Sequence, residues 1–154
     1  MAPPPWPLET RTTKRGNPVS MTGTVYTRAH AIKDGLLIEA DPGIVEEMEF
    51  PAPVAMTEAV YRDCVAVPEA YAWTTGIRLD ETEREWDLLL TASRAIKAAA
   101  GSGRQPRLAL TLYRVPTDGT TRDARRVTLV AESSPGDHGE RVITIMRPTE
   151  RLPY

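Results

Sequence analysis

The chain has 154 residues and a mass of 17.0 kDa, which as a prior means one domain. Its 41% hydrophobic and 26% charged residues are those of an ordinary globular chain, and no apolar run approaches the ~20 residues that span a bilayer. One cysteine, Cys64, and two histidines, His30 and His138, exclude a disulfide framework and a cysteine-based zinc cluster, so no metal and no cofactor are expected. The net charge of −2 argues against a strongly basic nucleic-acid binder. The charge is uneven, however. Residues 21–60 hold seven acids against two bases, and residues 104–154 hold nine bases against six acids.

Residues 1–20 contain five prolines, one Trp and no apolar periodicity. Such a segment cannot bury enough surface to offset its ordering entropy, so it is expected to be a disordered tail. Met21 opens an ordinary domain sequence, giving a single domain over 21–154, and translation could begin there. No 7–15-residue apolar stretch follows the early charges, which speaks against a secretory signal.

Thr27 reads as the N-cap of a short helix that Gly35 stops, followed by a β-prone run over Leu36–Glu39. Asp41-Pro42-Gly43 reads as a turn, with a further short helix from Ile44 to Phe50 that Pro51 and Pro53 end. Thr57 caps an expected helix through Val65, with Val60, Tyr61, Cys64 and Val65 on one side. In that setting Cys64 is a small buried hydrophobe, and Asp63 beside it works against a reactive thiolate. The strongest element is Asp80–Ala100. Asp80 to Glu83 form a capping box, Lys97 lies toward the far end, and Trp86, Leu89, Leu90, Ser93 and Ile96 recur at helical spacing.

After Gly101 the period changes from 3.6 to 2. Leu108, Leu110 and Leu112 alternate, and Arg126–Ala131 and Arg141–Met146 follow as two more strands between turn-rich connectors. The expected fold is therefore α+β. N-terminal helices, including the long amphipathic one over about 80–100, pack on a C-terminal three-stranded antiparallel meander. Such a sheet has two edges, which leaves homodimerisation through one of them open.

No Gly-rich phosphate loop, His-Glu-x-x-His or Gly-x-Ser-x-Gly motif occurs. The most polar cluster is Pro135-Gly136-Asp137-His138-Gly139-Glu140. Asp137, His138 and Glu140 could orient an imidazole beside a carboxylate, but Gly and Asp also satisfy ordinary turn geometry. Arg28, His30 and Asp34 form a second polar group, and a shared site would require His30 and His138 to meet in space. Arg122, Arg125 and Arg126 form a small basic knot, the candidate for contact with nucleic acid. Glu46, Glu47 and Glu49 concentrate the acidic charge and are the candidates for partner binding.

Three stretches carry a resemblance: Tyr26-Thr27-Arg28-Ala29-His30-Ala31-Ile32-Lys33-Asp34-Gly35, Val54 to Val65, and Pro135-Gly136-Asp137-His138-Gly139-Glu140-Arg141-Val142-Ile143-Thr144-Ile145-Met146. With Trp86–Leu89 and Leu112–Pro116, over about residues 24–148, the chain resembles an uncharacterised bacterial family. Its members are small proteins of plasmids, integrative elements and phages that share a domain of unknown function. The resemblance implies a cytoplasmic accessory protein of mobile DNA and transfers no catalytic role. The expected function is protein–protein interaction that modulates a host defence or replication component. Two alternatives stand beside it: a small enzyme acting on a nucleotide-like substrate through the Asp137–Glu140 loop, and a weak nucleic-acid binder.

Overall fold

The computed structural model describes residues 25–101, 103 and 106–154. The proline-rich segment 1–20 and Met21 lie outside the described residues. In chain order the elements are α1 (Arg28–Lys33), β1 (Leu37–Glu39), α2 (Pro42–Glu47), β2 (Val54–Thr57) and α3 (Glu58–Val60). The last of these widens directly into a π-helical turn over Tyr61–Val65. Then come α4 (Tyr71–Thr75), α5 (Glu81–Ala99), β3 (Arg107–Arg114), β4 (Arg125–Pro135) and β5 (Arg141–Met146).

The strands form one five-stranded mixed sheet in the order β1-β2-β5-β4-β3, not the expected three-stranded meander. Neighbours are antiparallel except β2 and β5, which run parallel with Val54 opposite Ile143 and Met56 opposite Ile145. The correction has a physical cause. All four residues of β2 are buried, so the strand shows no polar–apolar alternation, and Pro51 and Pro53 just before it read as loop. At three residues, β1 is too short to carry a period, and it becomes a strand by pairing with β2.

α5 covers one face of the sheet. Val54, Met56, Leu110, Leu112, Leu129, Ala131, Ile143 and Ile145 meet Leu88, Leu89 and Ala92 of the helix in the main core. The helix begins where the sequence places it. Asp80 Oδ1 accepts the N–H groups of Thr82 at 2.8 Å and Glu83 at 3.1 Å, which satisfies two of the first-turn donors. Its buried side is set by Arg84, Leu88, Leu89, Ala92 and Ser93, so Trp86 lies at the margin of the apolar stripe and is exposed.

The opposite face is covered at the β1 side by α1 and the C-terminal segment. There Ala31, Leu37 and Ala55 are buried together, with Ile32 and Tyr154 against them. Glu150 fastens that segment by accepting from the Thr57 hydroxyl and the Arg147 N–H, each at 2.8 Å. No described helix is long and apolar enough to cross a membrane.

Candidate functional site

The turn holding Arg28 and His30 and the loop holding Asp137 do meet. Thr27 caps α1 through its hydroxyl, which accepts the His30 N–H at 3.0 Å, and the His30 ring nitrogen Nδ1 accepts the Thr27 N–H at 3.1 Å. His30 is thus a capping side chain, and its ring stacks on Tyr26 at 5.7 Å. Asp34 takes the Tyr26 hydroxyl at 2.7 Å, and this bond raises the phenol pKa above its ordinary value.

Asp137 completes the same helix start from across the chain. Its two carboxylate oxygens accept the backbone N–H groups of Arg28 at 2.7 Å and Ala29 at 3.0 Å. A carboxylate at a helix N-terminus satisfies free donors and favours the dipole. The buried Arg28 guanidinium then runs inward, donating to Thr144 Oγ1 at 2.7 Å, Tyr154 Oη at 3.0 Å and the Ile143 carbonyl at 3.0 Å. One residue pair therefore binds α1, the β4–β5 hairpin, β5 and the C-terminal segment.

The rest of the loop is similarly occupied. Gly139, at φ +82°, makes the turn between β4 and β5, and the Gly136 N–H closes it on the Glu140 carbonyl. Glu140 Oε1 accepts the His138 N–H at 2.9 Å, while His138 itself is exposed. Asp137 and Glu140 thus stabilise backbone conformation. An open groove of about 690 Å³ lies between the end of α5 and the ends of β4 and β5, lined by Lys97, Ser133, Arg141 and Ile143 among others. Asp137, His138 and Glu140 are not among the residues lining it.

A second buried arginine does comparable work. The π-helical turn ends at Val65 because Ala66 takes an extended conformation, leaving carbonyls without successors to bond them. Arg84 supplies the donors: Nε to Val65 O, and the two terminal nitrogens to Val115 O and Asp63 O, each at 3.2 Å. The Asp63 carboxylate pairs with Arg147. Burial holds the pKa of Arg84 below the ordinary arginine value, and the charge of nearby Arg114 adds to this. Cys64 lies in the same π-helical turn and is fully buried. Burial pushes its thiol up to about 11 against the opposing pull of Arg114, Arg84 and Arg147, so it is no nucleophile near neutral pH.

The acidic candidates separate. Asp41 caps α2 by accepting from Gly43 N at 2.8 Å and Ile44 N at 3.3 Å, with Pro42 in the first turn. Glu46 and Glu47 follow on its exposed side and form no ion pair among the described residues. Glu49, at φ +59°, instead pairs with Lys97 at 3.7 Å. Beside Glu46 a shallow cleft of about 330 Å³ opens, walled by Pro42, Val45, Phe50 and Pro51, with Glu39 on its rim.

At the β3–β4 end, Arg122, Arg125 and Arg126 are exposed. Arg122 donates to the Thr75 carbonyl at 3.0 Å, which holds the loop against α4. Trp73 projects from α4 at 90% exposure, and Tyr113 of β3 is 63% exposed. Sequence reasoning missed α4 and Trp73. The only signal was the pair of a lone Trp and a following Gly76, whose φ of +73° ends the helical turn.

Among the described residues, no group of three or more His, Cys, Asp or Glu side chains could hold a metal ion. Searches against family models, curated proteins and solved structures return no match for this chain.

Proposed function

We propose that this protein is an interaction module, and that it engages a basic protein partner through the acidic surface of α2. The observation that carries this reading is the placement of Glu46 and Glu47. Both are exposed and form no ion pair among the described residues, and Glu46 lines the apolar cleft of Val45 and Phe50. Charge at a rim steers and selects a partner, while an adjacent apolar depression supplies desolvated contact area. A row of carboxylates also imitates a nucleic-acid backbone toward a protein that ordinarily binds one.

The resemblance to small proteins of mobile elements supports a cytoplasmic setting, with a host defence or replication component as partner. An enzymatic role for the Asp137–Glu140 loop is the less favoured reading, because both carboxylates already bond backbone N–H groups. The test is capture by the tagged full chain from a bacterial lysate, with and without nuclease, beside a Glu46→Lys/Glu47→Lys variant. A stoichiometric protein that survives nuclease and is lost with the variant is the expected result. Equal capture by both chains would overturn the assignment of the surface.

A further inference from the structure

We infer that this chain pairs with a second copy of itself along β3, joining two five-stranded sheets edge to edge. The sheet has two edges, β1 and β3. A bare edge presents unpaired backbone groups, and folded proteins blunt it with shortness, lysine, proline or a bulge. β1 is blunted by its length of three residues. β3 carries none of these devices. It runs for eight residues, Arg107–Arg114, and pairs with β4 residue for residue without a bulge. Its interior, Leu108-Ala109-Leu110-Thr111-Leu112-Tyr113, holds no charge, glycine or proline.

The ladder fixes which groups this edge offers. The Ser133 N–H donates to the Pro106 carbonyl at 2.7 Å, which makes these two a hydrogen-bonded pair at the start of the β3–β4 register. Bonding alternates along an antiparallel ladder, so Leu108, Leu110, Leu112 and Arg114 turn their N–H and C=O groups to β4. Arg107, Ala109, Thr111 and Tyr113 turn theirs outward. No backbone group among the described residues takes them up.

The edge is complementary to itself. Two antiparallel copies centred on Leu110 set Arg107 opposite Tyr113 of the second copy and Ala109 opposite its Thr111, and the reverse. Each hydrogen-bonded pair exchanges two bonds, so the four pairs make eight. Leu110 and Leu112 face α5, so the outward residues project their side chains from the other face. There the register brings a guanidinium against a phenol ring that is 63% exposed in the single chain. On the α5 face Leu110 meets its own copy and Leu108 meets Leu112. Arg107 and Arg114 flank the seam, already paired within their own chain with Glu132 and Asp87. A second copy is the occupant favoured because this one register engages all four outward residues and opposes no like charges. Glu46 and Glu47 take no part, so this inference and the acidic surface of α2 fail separately.

The experiment is sedimentation equilibrium of the full chain over a concentration series, with amide exchange read residue by residue by NMR. The mass is expected to rise from 17.0 kDa toward twice that value, while the Ala109, Thr111 and Tyr113 amides gain protection in step. Thr111→Pro removes an outward N–H and no bond to β4, and Thr111→Lys adds the charge that blunts natural edges. Each is expected to hold the chain at 17.0 kDa with its circular dichroism unchanged. Thr128→Lys, on the same face but one strand inward, should leave the dimer intact. A mass of 17.0 kDa at every concentration would overturn the proposal. So would a dimer kept by both folded Thr111 variants, or one lost in Thr128→Lys alone, which would place the seam on the face of the sheet. The parent chain decides the matter even where a variant unfolds, because a dimer whose three outward amides exchange freely contradicts an edge seam. Slow exchange at those amides in a single chain would mean that another segment of the chain covers the edge, and would equally overturn the second copy.

Discussion

The Asp137 loop and the surface of α2 both present carboxylates, and they use them in opposite ways. Asp137 and Glu140 accept backbone N–H groups, and with Arg28 they join four segments of the chain. The Glu46 and Glu47 carboxylates form no ion pair among the described residues. Polar residues clustered in sequence between glycines invite a catalytic reading, yet here they hold backbone together. The acidic run read from the sequence as Glu46, Glu47 and Glu49 divides instead: Glu49 pairs with Lys97, and the other two carboxylates stay exposed.

That contrast breaks if buried polar groups prove dispensable. Arg84→Ala is expected to have the largest effect, a loss of about 3–5 kcal/mol in urea unfolding, because three carbonyls lose their donors in a buried setting. Next comes Cys64. Its folded pKa near 11 lies above the ordinary value of 9.0, so the folded state holds the proton more tightly. Its stabilisation is complete below pH 9 and fades as pH rises toward 11, on the order of 2 kcal/mol. Unfolding midpoints between pH 8 and 11 should therefore fall less in Cys64→Ala than in the parent chain, and the parent thiol should resist alkylation until unfolded.

Asp137→Ala follows, at about 1–2 kcal/mol, the usual value of a helix cap. His138→Ala, one residue away, should change stability by less than about 0.5 kcal/mol, as exposed positions do. Equal losses for these two neighbours would erase the distinction between occupied and free polar groups in the loop. Smallest of all, Glu46→Lys/Glu47→Lys should leave the unfolding midpoint unchanged within about 0.5 kcal/mol, since neither carboxylate supports the fold.

Much of this fold was legible where one local signal dominates. Asp80 caps α5, Thr27 caps α1, and Gly35 at φ +80° ends that first helix, all as their side-chain chemistry requires. The alternation of Leu108, Leu110 and Leu112 likewise marks a strand with one face on the core. The sheet was misread where the signal is tertiary. β2 is held by a parallel partner nearly ninety residues away in sequence, and nothing local distinguishes its three apolar residues and Thr57 from a loop entering a helix.

The same holds for the candidate site. Arg84 looks like a surface charge on an amphipathic helix, and only the carbonyls left by the π-helical turn explain its burial. The meeting of Arg28 with Asp137 spans 109 residues, a distance no spacing rule reaches. Trp73 stood outside every periodic segment, so neither its helical turn nor its exposure could be read from neighbours.

The most direct measurement is amide hydrogen exchange of the full chain, alone and with its captured partner. Added protection over Asp41–Glu47 with the Gly136–Glu140 loop unchanged is the expected result, because the Gly136, His138 and Gly139 amides are already bonded within the fold. Protection confined to the loop, with α2 exchanging as freely as before, would contradict the acidic-surface account and return His138 and its neighbours to the centre of function.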